Sequence, residues 1–318
     1  GLDPFYFHLS TFIWFLVQGA LLYFLFIKIL NLASAHRWNG IIALLGVGWY
    51  LLHTANAETI NYVSARTDSL TTLTVIAAFV IYIYANSWKK HLSYIPIVIG
   101  ILIKPTPVMY LPLLFFYKLF FERGVGLGDM LNKKNHKKII EELVSIIPVS
   151  VIAFGLFYFT LKMTPDSWVP GGRSLFYYLI TQPFVILRYF WTFFIPLGLS
   201  ADSDWETLKS IWDPRFFIGT IFLVLTLIIA FLTSSSKKTS PIAFGLLWFL
   251  FSLVPSSSVI PLSEVTNDHR MFYPFVGLVL SAVWTIALWV IKFEYKFVGA
   301  AWQKALLITG ITIILTGH

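Results

Sequence analysis

The sequence predicts an all-α, polytopic membrane protein. Hydrophobic residues make up 58% of the 318 positions and charged residues only 12%, whereas soluble domains carry about 25% charged residues. The apolar residues form continuous runs and do not alternate as they do in a transmembrane barrel. The aromatic share of 18% suits a chain with interfacial belts of Trp and Tyr. Because the sequence contains no cysteine, disulfides and thiolate chemistry are excluded.

Ten apolar runs are predicted to span the membrane within a single domain over residues 1–318. They are 7–30, 40–52, 69–85, 92–103, 106–121, 143–161, 216–232, 241–254, 271–291 and 305–316. The fourth and fifth runs meet at Lys104-Pro105-Thr106-Pro107, where the two prolines predict a tight hairpin or a re-entrant element. The sequence starts without an initiator Met, and its last run is short for a span of about 20 residues. We therefore expect a chain that is incomplete at both ends.

The aromatic segment 174–197 is predicted to be a helix that lies in the membrane interface. It is long enough to span the membrane instead, but a span there would move every later loop to the other side. With the segment in the interface and the N-terminus outside, most Lys and Arg residues lie on the inner side, as the positive-inside rule requires. The outer side then keeps eight of the 23: Arg66, Lys104, Lys162, Arg173, Arg188, Lys209, Arg215 and Arg270. Topology thus explains the basic residues, and nucleic acid is not expected as a partner because no separate basic domain exists.

Acidic residues show the opposite bias, which topology does not require. Ten of the 15 fall on the outer side: Asp3, Glu58, Asp68, Asp166, Asp202, Asp204, Glu206, Asp213, Glu264 and Asp268. Three polar outer segments, 53–68, 200–213 and 255–274, are expected to converge. Burying polar groups near hydrocarbon costs free energy, so their concentration at the outer ends of the helices predicts a binding or reaction site on the outer face. The alternative is a set of ordinary solvated loops with helix caps.

Side-chain chemistry suggests roles for several of these residues. Arg66 and Arg270 are predicted to hold a lipid phosphate or pyrophosphate, because the guanidinium fork matches phosphate. Lys104 would assist them, although a snorkelling lysine is an equally good interpretation. Glu58 and Asp68 are the catalytic candidates, as a general base or as partners that orient an arginine. The supporting residues are His53, Asp202, Asp204, Glu264, Asp268 and His269.

No cofactor or metal site is assigned. A divalent metal at Asp202 and Asp204, or at Asp268 and His269, remains an alternative to a solvated turn, which is the commoner setting for closely spaced acids. His53 has the position of a capping or packing residue more than that of a metal ligand.

The outer segments resemble motifs of the GT-C glycosyltransferases, in particular the transmembrane and tetratricopeptide-repeat O-mannosyltransferases and their bacterial relatives. His53, Glu58, Arg66 and Asp68 follow the spacing of the His-Pro-x-x-x-Glu…Arg-x-Asp outer-loop signature, with Thr54 in place of the usual Pro. Three further stretches resemble later motifs in the same order: Lys104-Pro105-Thr106, 200–205 and 254–274.

The resemblance implies a GT-C-like fold and an enzyme that moves a sugar from a polyprenyl-phosphate carrier to an acceptor, expected to be a protein. Membrane lipid and the lipid-linked donor would be its partners. It would act in the bacterial inner membrane or the endoplasmic reticulum, with the site facing the periplasm or lumen. The family's main catalytic acid and its tetratricopeptide repeats are expected outside this sequence.

Two other classes of function stay open. A lipid or small-molecule transporter or flippase would carry inverted repeats and mid-span ionisable residues, and neither is evident here. The other is a non-catalytic membrane subunit of a larger complex.

Overall fold

A computed structural model of the chain describes residues 3–163, 174–200, 203–259, 262 and 264–294. Helices dominate these residues, and no β-strand occurs among them, which agrees with the all-α prediction. The reason is the composition, because hydrocarbon offers no hydrogen-bond partners and a helix satisfies its backbone groups internally.

The described residues contain eleven α-helices, joined by short 3-10 and π-helical turns. They are α1 Pro4–Ala33, α2 Asn39–Leu52, α3 Ala57–Asn61, α4 Arg66–Tyr84, α5 Tyr94–Ile103, α6 Tyr110–Tyr117, α7 His136–Lys162, α8 Leu175–Phe194, α9 Pro214–Ser234, α10 Ser240–Val254 and α11 Phe272–Glu294. A π-helical turn, Lys118–Arg123, continues α6 without a break.

Six helical stretches among the described residues are long and apolar enough to cross a membrane, as expected of an integral membrane protein. They are Pro4–Ala33, Val63–Tyr84, Lys133–Lys162, Pro214–Ser234, Ser240–Ser257 and Asp268–Lys292. A seventh is present if α2 and the following stretch Thr54–Asn61, which bends away by 53°, count as one span. The predicted number of ten is therefore not confirmed, and the predicted tenth run, 305–316, lies outside the described residues.

The fourth and fifth predicted spans are not single α-helices. The 3-10 helix Ser87–Ser93 leads into α5, and the 3-10 turn Thr106–Met109 leads into α6 and its π-helical turn. At ordinary helical rises, Ser87 to Ile103 covers about 29 Å, close to the thickness of the hydrocarbon core, about 30 Å. Both runs lie along α4, in opposite directions. Lys104, between them, contacts Asp68 at the start of α4. Glu122, after the second run, contacts Tyr82 near the end of α4.

The two ends of the helix bundle are defined by these contacts. At one end, the Arg66 guanidinium lies over the Phe7 ring, and the Tyr50 hydroxyl donates to the carbonyl of Phe272 at 2.9 Å. This end, which contains the starts of α1, α4 and α11 and the end of α2, is called the outer end, after the orientation predicted from sequence. Lys104 joins it through Asp68.

The opposite end is called the inner end. Tyr82, near the end of α4, donates to Glu122 at 3.3 Å, and Lys90 contacts the same carboxylate at 3.3 Å. Lys90 precedes α5 and Glu122 lies in the π-helical turn after α6. The chain therefore leaves the inner end before α5 and returns to it after α6.

Buried side chains from α1 to α11 form a continuous apolar core. Aromatic rings fill its centre, where the ring centroids of Phe79 in α4 and Trp248 in α10 are 5.2 Å apart. Helices α10 and α11 approach so closely that a Cβ at Gly245 would lie 2.3 Å from the carbonyl oxygen of Gly277. Small residues permit such close approach in membrane bundles, so any larger residue at Gly245 would push the two helices apart.

Helix α8 lies across the outer end. Near its start, the Tyr178 hydroxyl donates to the carbonyl of Ser256, just after α10, at 2.5 Å. Near its end, the carbonyl of Phe193 is 2.9 Å from His53 Nε2, just after α2. Both contacts are with residues that follow helices ending at the outer end. The location of α8 in a membrane interface stays a prediction, which this placement supports.

Candidate functional site at the outer end

A cleft of about 530 Å³ opens at the outer end. Its walls include residues of all three polar segments that the sequence predicted to converge. They supply Thr54, Ala55, Ala57, Glu58, Asn61 and Tyr62 from the first, Leu199 and Ser200 from the stretch after α8, and Asp268 from the segment before α11. The convergence expected from the sequence is therefore present.

His53 positions the first wall of the cleft. Its Nδ1 accepts the Ala55 N–H at 3.2 Å and so caps the 3-10 turn that follows α2. Its Nε2 lies 2.9 Å from the carbonyl of Phe193, and since a carbonyl can only accept, Nε2 carries the proton. The imidazole ring is stacked on the Phe193 ring with the two ring centroids 5.5 Å apart, and His53 is 2% exposed. His53 thus anchors the segment that carries Glu58 and does not line the cleft.

Glu58 stands in the first turn of α3 and has two different oxygens. His269 Nδ1 donates to Oε1 at 3.1 Å. Oε2 is buried and has no hydrogen-bond partner among the described residues. Buried polar atoms normally have a partner, so an exception requires an explanation. The same stretch buries three further polar atoms without partners in the described part of the chain: Asn56 Oδ1 and the hydroxyls of Thr54 and Thr59.

Asp268 supplies the second carboxylate of the cleft. It begins the 3-10 turn Asp268–Met271 and is 4% exposed. Its Oδ2 accepts the backbone N–H of Ser200 at 2.7 Å. Asp268 and Glu58 are close enough to act on each other electrostatically. Both acids therefore line the cleft, Glu58 with one oxygen bonded to the His269 side chain and Asp268 with one oxygen bonded to a backbone N–H.

Asn267 holds this turn in place. Its side-chain oxygen accepts the N–H of His269 at 3.2 Å, and its own N–H donates to the Tyr189 hydroxyl at 3.0 Å. Burial raises the pKa of Tyr189 above its ordinary value, so its phenol stays neutral. Helix α8 thereby supports the turn from which Asp268 and His269 project.

Arg270, predicted to bind phosphate, is engaged within the protein. Its Nη1 donates to the carbonyl oxygen of Glu264 at 3.0 Å, and its Nη2 lies 3.8 Å from the Glu264 carboxylate. The same carboxylate accepts the side-chain amide of Asn267. The Arg270 side chain is 12% exposed and does not line the cleft. The contacts between Glu264 and Arg270 thus hold the loop before α11 in place.

Asp68, Lys104 and Arg66 form a separate group beside the cleft. Lys104 Nζ lies 2.5 Å from Asp68 Oδ1, which joins the end of α5 to the first turn of α4. This pair leaves Asp68 less available as a base. The Arg66 guanidinium lies 5.4 Å from the centroid of the Phe7 ring and has no hydrogen-bond partner among the described residues. None of the three lines the cleft.

The Asp202 and Asp204 pair does not add to the site that the structure describes. Asp204 is exposed, and Asp202 lies outside the described residues. Within the described ranges, no three His, Cys, Asp or Glu side chains converge as metal ligands would.

Two features of the site were missed from the sequence. The N–H of Ser200 is a backbone group, and no sequence pattern identifies it as a partner of Asp268. Arg188 was placed on the outer side but given no role. Its signal was present, because it is a charged residue set among aromatic side chains in a helix predicted to lie in the membrane interface.

The chain matches no protein-family model, no curated protein and no solved structure. The resemblance to GT-C glycosyltransferases therefore depends on the motif residues alone. Of the four residues in the first motif, Glu58 lines the cleft, His53 anchors it, and Asp68 and Arg66 lie beside it.

Proposed function

We propose that this chain is a membrane glycosyltransferase that moves a sugar from a polyprenyl-phosphate carrier to an acceptor hydroxyl at the outer end of the bundle. The observation that carries the proposal is the environment of Glu58. One oxygen is oriented by His269, and the other is buried with no hydrogen-bond partner among the residues that the structure describes. A group that arrives with the substrate would supply that partner.

The proposed step assigns the proton to Glu58. The acceptor oxygen forms a bond to the anomeric carbon, and its proton passes to the Glu58 carboxylate. The bond between the anomeric carbon and the phosphate oxygen breaks, and its electron pair leaves with the phosphate. A positioned general base of this kind contributes about 100-fold to 10,000-fold in rate. His269 would hold the carboxylate in the orientation needed.

Arg66 is the proposed ligand of the leaving phosphate. Within the described ranges, its guanidinium makes a cation–π contact with the Phe7 ring and no hydrogen bond, whereas Lys104 and Arg270 are already paired with Asp68 and Glu264. An arginine with unused N–H donors can bind a phosphate without giving up another partner. Donors aimed at charge that develops on a leaving group contribute strongly to catalysis.

The cleft lining is mostly apolar, with a few polar side chains that would hydrogen-bond to a sugar. Thr54, Glu58 and Asn61 line it together with Tyr62 and Ser200. The Thr54 hydroxyl has no partner in the described part of the chain. A sugar, which carries many donors and acceptors, would satisfy such groups, while the carrier's hydrocarbon chain would lie against the exposed apolar faces of the helices.

The test is sugar transfer by the full chain in membranes supplied with labelled polyprenyl-phosphate sugars and candidate acceptors. Glu58→Gln keeps the size of the side chain but removes the base, so transfer should fall by about 100-fold or more. Glu206→Gln is the matched control, because Glu206 is an exposed outer acid whose side chain is 77% accessible. Transfer by the control should stay within about 2-fold of the wild type.

Each other outcome overturns part of the proposal. Transfer that survives Glu58→Gln would remove Glu58 as the base. An absence of transfer with every donor, together with movement of the labelled lipid across the membrane, would favour a flippase. An absence of both activities would favour a non-catalytic subunit of a larger complex.

A further inference from the structure

Arg188 connects helix α8 to two loops at the outer end. Its Nη1 donates to the Thr266 hydroxyl at 2.7 Å. Its Nη2 donates to the carbonyl of Gly198 at 3.3 Å. The guanidinium also lies 4.7 Å from the centroid of the Trp205 ring. One side chain therefore contacts the stretch after α8, the segment before α9 and the loop before α11.

Each of the two hydrogen bonds of Arg188 lies two residues before one member of the Ser200–Asp268 contact. Gly198 is two residues before Ser200, and Thr266 is two residues before Asp268. Ser200 and Asp268 are the pair joined across the cleft wall by the 2.7 Å bond from the Ser200 N–H. Two residues of extended chain reach at most about 7 Å. A shift at either anchor of Arg188 would therefore displace one member of the pair.

Neighbouring contacts extend the same network. The hydroxyls of Ser203 and Thr266 are 2.8 Å apart. The Trp205 ring, which the guanidinium covers, stacks on Phe184 of α8 at 5.8 Å. Arg188 is thus at the centre of a network in which each member touches another segment. A lysine could keep the charge, but a single ammonium lacks the planar fork that reaches a hydroxyl and a carbonyl together.

We propose that Arg188 is a positioning residue that holds Ser200 and Asp268 in register across the cleft. The catalytic consequence rests on the proposed function, because a displaced cleft wall would misplace the acceptor relative to Glu58. The positional part does not rest on it. An apolar side chain of similar length would make neither hydrogen bond to the two loops.

The positional part is tested by hydrogen exchange of the full chain in lipid nanodiscs. Arg188→Met should speed exchange in peptides that contain 198–200 by about 10-fold, as expected for the loss of one or two hydrogen bonds. Peptides from the inner end, 118–123 and 136–145, should not change and so report on global folding. Arg188→Lys should give an intermediate rate. Arg215→Met is the matched control, since Arg215 pairs only with its near neighbour Asp213 among the described residues.

The catalytic part is tested by kinetics on the same variants. Arg188→Met should lower kcat by about 100-fold, the size expected of a small misplacement, and leave the KM for the lipid-linked donor within about 2-fold. Unchanged exchange at 198–200 would overturn the inference whatever the transfer assay shows. Faster exchange with an unchanged kcat would overturn its catalytic part. Faster exchange in a protein whose wild type transfers no sugar would support the positional part and count against the proposed function alone.

Discussion

Glu142 at the inner end is buried and Glu58 at the outer end is partly buried, and the oxygens of the two carboxylates have different partners. Arg123 Nε donates to one oxygen of Glu142 at 2.5 Å. Lys118 and Ser145 contact the other. Glu58 has a histidine on one oxygen and nothing among the described residues on the other. The inner carboxylate is satisfied by the fold, whereas one oxygen of the outer carboxylate has no hydrogen-bond partner among the described residues.

The surroundings of the two groups differ in the same way. The Lys118–Glu142 ion pair at the inner end links the π-helical turn after α6 to helix α7, and neither residue lines the cleft. The outer group lines an open cleft of about 530 Å³. A buried charge whose partners are all supplied by the fold needs no ligand to explain its position. For this reason the proposed site is placed at the outer end.

The largest expected effect is on stability, from breaking the inner pair. Glu142→Ala leaves the buried Lys118 ammonium without its carboxylate, so unfolding free energy should fall by about 3–5 kcal/mol. The measurement is thermal unfolding of purified protein. The double variant Lys118→Met with Glu142→Met should recover most of the loss, because an apolar pair of similar volume is often neutral. Failure of the double variant to recover would show that the pair does more than balance charge.

The same measurement on Glu58 sharpens the contrast between the ends. Glu58→Gln should change unfolding free energy by less than about 1 kcal/mol, because it removes a carboxylate that the fold only half satisfies. A large loss of stability in this variant would place Glu58 in the same structural class as Glu142. It would also weaken the catalytic interpretation of any loss of transfer.

Arg66 and Arg270, the two arginines predicted to bind phosphate, should differ in the property that each affects. Arg66→Ala should raise the KM for the lipid-linked donor by about 10-fold with little change in stability, because Arg66 holds no other residue in a hydrogen bond among those described. Arg270→Ala should instead cost about 1.5–3 kcal/mol of stability, since it deprives Glu264 of its charged partner. Donor titrations and thermal unfolding of both variants check this. The reverse pattern would exchange the roles of the two residues.

The smallest effect is expected at Asp213, an outer acid that is satisfied. It caps α9 by accepting the Arg215 N–H at 2.9 Å, and it pairs with the Arg215 guanidinium at 2.8 Å. The hydrogen bond from the Arg215 side chain holds the pKa of Asp213 below its usual range.

A carboxyl with a lowered pKa stabilises the fold above its ordinary pKa of about 3.9 and loses that contribution as pH falls through the folded value. Asp213→Asn should therefore lower the Tm slightly at pH 7, and the difference should shrink toward pH 3. An unchanged difference between these pH values would contradict this assignment.

The membrane class and the helical content followed from composition and run length, because the cost of burying an unpaired backbone leaves only helices for such runs. The fourth and fifth runs were correctly seen as apolar and bent at Pro105 and Pro107. Their division into 3-10, α and π turns was not predictable, because packing along α4 decides it and hydropathy does not report it.

The sequence by itself determined which side chains were worth attention at the outer end, since a charge near hydrocarbon is costly and is rarely placed there without use. Glu58, Asp268 and His269 were all identified in this way. Only the tertiary structure decided how they pair. Glu58 and His269 are 211 residues apart, and the Ser200 N–H reaches Asp268 across 68 residues. Contacts of that kind depend on which helix ends meet and on how α8 lies across them, and no local pattern encodes either.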